Sequence, residues 1–233
     1  LKVNITHAVK EEVTGDKLKA IFKRQSELMS KYHDIELRSG LLQTEDCPVN
    51  LDDKRGQARL KDFAWRVTEE VGEALDSLHS GDKDHYYEEL IDGLHFLTEM
   101  SILAGTSPEE IFKVVFEREV KSDEDILEVF VTRANQEQAR FTDSSGPCLP
   151  CPSDIAFKVM NLVESLGMTC NCLKNKPWKQ SNMVTDRNAF YQNLSITWKV
   201  YIALLSLELS AEEIVDVYLR KSQVNKFRQR SNY

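Results

Sequence analysis

Apolar side chains recur at three- and four-residue spacings along most of the chain, and no stretch of useful length alternates apolar with polar. That periodicity predicts an all-α fold, a helical bundle. Residues 1–15 show no period and read as a flexible lead-in. Asp16 is placed to cap a first helix carrying Leu18, Ile21, Phe22, Gln25, Leu28, Met29 and Tyr32. Gly40 and Pro48 mark residues 38–50 as a loop. Leu60, Phe63, Val67, Val71, Ala74, Leu75 and Leu78 form the stripe of a second helix, which Gly81 ends. A third helix, from about 82 to 104, places Tyr87, Leu90, Ile91, Leu94, Leu97 and Leu103 inward, and Gly105 stops it. Ser107-Pro108-Glu109-Glu110 is a capping box with proline at the first helical position, opening a fourth helix predicted to run to about residue 138. Residues 142–152 are turn-rich. Ser153 opens a short helix predicted to end at Gly167, and a polar loop reaches Thr185. The last two helices are expected over 187–209 and 211–227, the second opened by a further capping box, Ser210 with Glu213.

The two capping boxes belong to a wider similarity. SPEEIFKVVF from Ser107 and SAEEIVDVYL from Ser210 share Ser, Glu, Glu, Ile and Val, and Ala64-Trp65-Arg66-Val67 is similar to Ala156-Phe157-Lys158-Val159. A degenerate duplication of a helical unit accounts for this; chance similarity of amphipathic helices is the alternative.

The chemistry concentrates in one stretch, 66–96. Glu70 with Glu73, and Glu89 with Asp92, are acidic pairs spaced i, i+3, so each pair shares one helix face. If the break at Gly81 is a tight turn, the two helices are antiparallel and four carboxylates converge. Like charges held together are costly unless neutralised, and hard divalent cations prefer oxygen ligands. The pattern therefore predicts a magnesium site. At the aligned positions the second unit carries Leu162, Ser165, Gln192 and Ser195, which predicts one site per chain. The plainer reading is a solvated acidic face, with Arg66 pairing Glu70 one turn away.

Composition narrows the rest. A formal charge of −8 argues against bulk binding to nucleic-acid polymers or anionic membranes. No apolar run is long enough to span a bilayer, and residues 1–13 lack the apolar core of a signal peptide. Five cysteines without such a signal point to a reducing compartment, cytoplasm or nucleus. Cys148-x-x-Cys151 and Cys170-x-Cys172 approximate a zinc spacing. The helix predicted between them, about 18 Å long at 1.5 Å per residue, would hold the pairs apart, so free thiols are expected.

The ordered E-x-x-E and E-x-x-D pairs on consecutive helices resemble the all-α nucleoside triphosphate pyrophosphohydrolases, which include the MazG proteins, the dimeric dUTPases and the phage dCTP pyrophosphatases. Tyr218-x-x-Lys221-x-x-x-Asn225-x-x-Arg228-Gln229-x-x-x-Tyr233 resembles the C-terminal motif of the dimeric dUTPases and their dCTPase relatives. Leu94-His95-Phe96 and Leu75-Asp76-Ser77 are similar to the residues that follow their acidic motifs. Relatives of the trypanosomatid type carry a long helical insertion ahead of the C-terminal motif. Residues 117–185 stand in that place within a single catalytic domain.

The resemblance implies that Glu70, Glu73, Glu89 and Asp92 are catalytic and hold two or more Mg²⁺. It implies that Lys221, Asn225, Arg228 and Tyr233 bind the phosphates, that Gln25, His95 and Phe96 bind the nucleoside, and that the chain is a homodimer. The implied reaction is hydrolysis of dUTP to dUMP and pyrophosphate. Met29 stands where the first-helix motif of those dUTPases carries Asn, and HSGDKDHYY replaces a Trp- and Lys-rich segment. The base therefore stays open between uracil and cytosine, with dCTP a competing substrate. A broader MazG-like activity and a decayed hydrolase serving as an oligomerisation scaffold are the other readings.

Overall fold

The computed structural model describes residues 8–40, 42–141 and 152–230. Among them are eight helices and no strand: α1 (Lys17–Ser39), α2 (Lys54–Ser80), α3 (Lys83–Leu103), α4 (Pro108–Phe116), α5 (Ile126–Phe141), α6 (Pro152–Cys172), α7 (Arg187–Leu205) and α8 (Ala211–Arg230). The protein is all-α, and no helix in this set is long and apolar enough to cross a membrane.

The caps follow the local chemistry. The Asp16 carboxylate accepts from the Lys19 amide, and Asp53 accepts from the amides of Arg55 and Gly56. These bonds satisfy first-turn donors that a helix cannot pair internally. Both capping boxes form: Ser107 with Glu110 opens α4, and Ser210 with Glu213 opens α8. Gly81 takes the left-handed conformation (φ 83°) that closes α2, and Asp82 caps α3 through the His85 amide. Only two residues separate α2 from α3, so they fold back as an antiparallel hairpin. Its inner surface holds Phe63, Val67, Val71, Leu90, Ile91 and Leu94, all buried. Each such side chain contributes about 1.5–3 kcal/mol by leaving water.

α1, α7 and α8 pack against this hairpin. Trp198 is fully buried at the centre, donates its indole N–H to Ser101 Oγ at 2.8 Å, and sits 5.5 Å from Phe22 centroid to centroid. Residues 8–15 are held rather than loose, because the Val9 amide and carbonyl bond Gln223 and the Glu11 carboxylate grips Arg24.

Four predicted helix ends are corrected. The fourth helix stops at Phe116 instead of running to residue 138, because Glu117 turns left-handed (φ 54°). α5 restarts at Ile126, whose amide donates to Asp16, while Asp125 accepts the Glu128 amide. α6 passes through Gly167 to Cys172. A lone glycine lowers helix propensity without ending a helix that has buried residues beyond it, here Thr169 and Leu173. α7 also ends earlier than predicted, at Leu205, and α8 runs three residues beyond Phe227. Cys170 and Cys172 are free thiols; Cys148 and Cys151 lie outside the described residues, as does Tyr233.

Candidate active site

The α2–α3 hairpin has mirror symmetry about its turn. Glu70 and Asp92 stand equally far from Gly81 along the chain, and Glu73 and Glu89 stand equally far one turn closer. In an antiparallel pair this equal spacing sets the acids level across the interface. Oxygens of Glu70, Glu73 and Glu89 lie within 4.8 Å of one another, and Asp92 adds its charge from the next turn. Gly93 makes the close approach possible. A Cβ there would overlap the Tyr201 hydroxyl and press to 3.3 Å from Glu70 Cβ. Tyr201 itself is locked by donating to the Leu90 carbonyl at 2.7 Å.

Crowded carboxyls hold protons more tightly. Burial, then the charge of Asp92 and contact with Glu89, push the Glu70 carboxyl up to about 8. Burial raises Asp92 to about 6, even though Lys221 opposes the shift. Two nitrogen groups touch these acids. His85 Nε2 lies 3.0 Å from Glu89, and the buried Lys221 ammonium lies 2.9 Å from Asp92 and 3.4 Å from Glu88. A cluster of oxygen donors in which burial and like charge hold the Glu70 carboxyl up at about 8 fits a hard divalent cation, which would displace that proton. Arg66 does not pair with Glu70. It pairs with Asp62 at 2.8 Å and lies over the rings of Phe63 and Phe96.

Beside the acids opens a cavity of about 310 Å³. Glu70 and Asp92 line it together with Asn225 and Arg228 from α8, and with Gln25, His95 and Phe96. Seven of the residues singled out in the sequence thus share one cavity. Glu73 and Glu89 sit beside it in the acid cluster. Lys221 is not among the lining residues; it lies against Asp92 as an ion-pair partner.

The five other lining residues, Leu28, Tyr32, Glu36, Arg66 and Glu99, were not assigned to a substrate or metal in the sequence. Glu99 carried a readable signal, as an acid on the Asp92–Phe96 stripe amid the apolar run of Leu97, Met100 and Leu103. Tyr218 carried one too, as the first residue of the tail motif. Its hydroxyl donates to Gln25 Oε1 at 2.7 Å, and its ring stacks on His95 at 3.8 Å between centroids. His95 Nδ1 contacts the same amide oxygen at 2.8 Å, while its Nε2 is buried without a partner. Full burial, reinforced by the nearby Lys221 charge, lowers this imidazole to about 3. His95 is therefore neutral, donating from Nδ1.

A family model described as dUTPase matches residues 70–233, which takes in the whole acid cluster and the α8 side of the cavity. No curated protein and no solved structure gives a significant match.

Proposed function

Since the chain belongs to the dUTPase family, we propose that it hydrolyses dUTP to dUMP and pyrophosphate in a Mg²⁺-dependent reaction, and dCTP to dCMP in the same way. The observation that carries this reading is the single cavity with acids at one end, Asn225 and Arg228 beside them, and an amide and aromatic wall beyond. Glu70, Glu73, Glu89 and Asp92 would hold the cations, two or more in number. Bound there, the metal supplies charge neutralisation at the phosphoryl oxygens and a lowered pKa for water.

The side chains divide the remaining work. One glutamate takes the proton of the attacking water, whose oxygen forms a bond to the α-phosphorus. The bond from that phosphorus to the bridging oxygen breaks, and pyrophosphate leaves with its electron pair. The Arg228 guanidinium suits two-point contact with phosphate oxygens, and Asn225 orients a phosphate. Lys221 fixes the Asp92 carboxylate and places a positive charge behind it; Tyr233 closes the motif on the phosphates. Phe96 packs on the base, while His95 and Gln25 form the wall behind it. The catalytic domain is taken to span the chain, with 117–185 an inserted helical segment. The protein acts as a homodimer, for which exposed Phe157 and Met160 on α6 and Trp65 on α2 supply apolar surface.

Incubation with each deoxynucleoside triphosphate, with Mg²⁺ and then with chelator, tests the reading. Metal-dependent release of pyrophosphate from dUTP or dCTP supports it. Release of orthophosphate, or no turnover by folded protein, removes it.

A further inference from the structure

We propose that Glu99 is a specificity-determining residue, the acceptor that reads an N–H donor on the edge of a pyrimidine base. This rests on the pyrophosphohydrolase reading above and assigns the far end of the same cavity.

The first support is an incomplete hydrogen-bond account. Glu99 is 6% exposed and lines the cavity. Its Oε2 accepts from Gln25 Nε2 at 2.8 Å, and its Oε1 takes no hydrogen bond from a described residue. Neither nearby arginine supplies one. Arg59 gives Nη1 to the Thr44 carbonyl and Nη2 to Glu36, with its Nε buried and unpartnered, and Arg66 pairs with Asp62. One amide bond does not offset the cost of burying a carboxylate, so an acid kept here awaits another donor.

The second support is the locking of Gln25. Its Oε1 already accepts from Tyr218 Oη and His95 Nδ1, which fixes the amide orientation and points Nε2 at Glu99. An amide nitrogen has two hydrogens, so one remains. Gln25 and Glu99 together present one donor beside one acceptor. Uracil offers the complementary couple at O2 and N3–H, and cytosine offers it at N3 and N4–H. One pair of side chains thus reads either pyrimidine by a shift of one ring position.

The third support is reach. Asp92, Phe96 and Glu99 follow one another on a face of α3. Seven residues at 1.5 Å each separate the acid cluster from Glu99 by about 10 Å. That is about the distance from a 5′-phosphate across a deoxyribose to the far edge of a pyrimidine. A purine carries its edge one fused ring farther. Phe96 lies between, where the ring would stack.

The test compares dUTP with N3-methyl-dUTP, and dCTP with N4,N4-dimethyl-dCTP, each analogue lacking the donor. In the wild-type protein either methylation should lower kcat/KM about 10- to 100-fold, chiefly through KM. A loss in both pairs shows that both bases are read, and a loss in one pair identifies the base that is. In Glu99→Leu the methylated and parent nucleotides should be turned over within about twofold of each other. Glu99→Gln keeps an acceptor oxygen and should retain the discrimination. Equal discrimination in wild type and Glu99→Leu, or none in the wild type, overturns the assignment of Glu99 alone. Failure of the wild type to turn over any parent nucleotide removes the underlying reading together with it.

Discussion

The α2–α3 and α6–α7 hairpins make the same kind of helical pair and put opposite chemistry at its centre. In α2–α3 the facing positions hold Glu70, Glu73, Glu89 and Asp92. In α6–α7 the aligned positions hold Leu162, Ser165, Gln192 and Ser195. There Leu162 is fully buried, and the Ser165 and Ser195 hydroxyls donate to carbonyls of their own helices, Leu162 and Tyr191. Thr169 and Thr197 meet across that interface at 3.3 Å. These serine and threonine hydroxyls are satisfied without a ligand. The acid hairpin is the reverse case, because burial and the neighbouring acids hold the Glu70 carboxyl up at about 8. One pair is built to be stable alone, and the other to be completed by something positive. Both are followed by a capped helix, α4 and α8, so the contrast arises on similar frames.

Substitutions sharpen the contrast, beginning with activity. Glu73→Gln and Asp92→Asn should each lower Mg²⁺-dependent kcat by about 10³-fold or more, since both the charge and the position of a carboxylate are lost. Helical content by circular dichroism should be unchanged. Near-normal turnover would mean that the acid cluster is a solvated face after all.

Leu162→Ala in the other hairpin should do the opposite, costing about 2–5 kcal/mol of stability through a core cavity. Its kcat below the unfolding transition should match wild type. Denaturant midpoints measured beside rates check both halves of this expectation.

Gly93→Ala adds a methyl group where Tyr201 and Glu70 already touch. It should cost about 1–3 kcal/mol by overpacking and weaken metal affinity by spreading the acids. A variant that left Mg²⁺ affinity intact would show that the spacing of α2 and α3 has slack.

The smallest effect is on pH dependence. Glu70, Glu99 and Asp92 are raised to about 8, 7 and 6, chiefly by burial. Raised carboxyls bind more protons folded than unfolded. Their contribution is thus fully present below the unfolded values near 4 and is lost as pH rises through the folded values. Thermal stability of metal-free protein should fall between about pH 5 and 8, and Mg²⁺ should restore more of it at pH 8 than at pH 6. Stability that rose across this window without metal would refute the burial of the cluster.

Much of this was legible in the sequence, for identifiable reasons. The helices followed from spacing, and the acid cluster followed from two i, i+3 pairs flanking a glycine break. The break within 117–125 was missed because that stretch holds no proline or glycine to signal it, and the left-handed residue that ends the helix is Glu117. The run through Gly167 was missed because glycine signals a stop only where no buried residue lies beyond. Lys221 was placed on the phosphates by its motif, and its ion pair with Asp92 is visible only in three dimensions. Glu99 and Tyr218 each stood out locally, but what joins them is Gln25, which lies 74 residues from one and 193 from the other. No local pattern carries a contact of that range.

Calorimetric titration of the metal-free protein with Mg²⁺ near pH 7, in buffers of different ionisation enthalpy, addresses the acid hairpin most directly. The account predicts saturable binding with proton release, as Glu70 gives up the proton it holds, and loss of that binding in Asp92→Asn. Absence of binding, or binding that Asp92→Asn leaves unchanged, would contradict it.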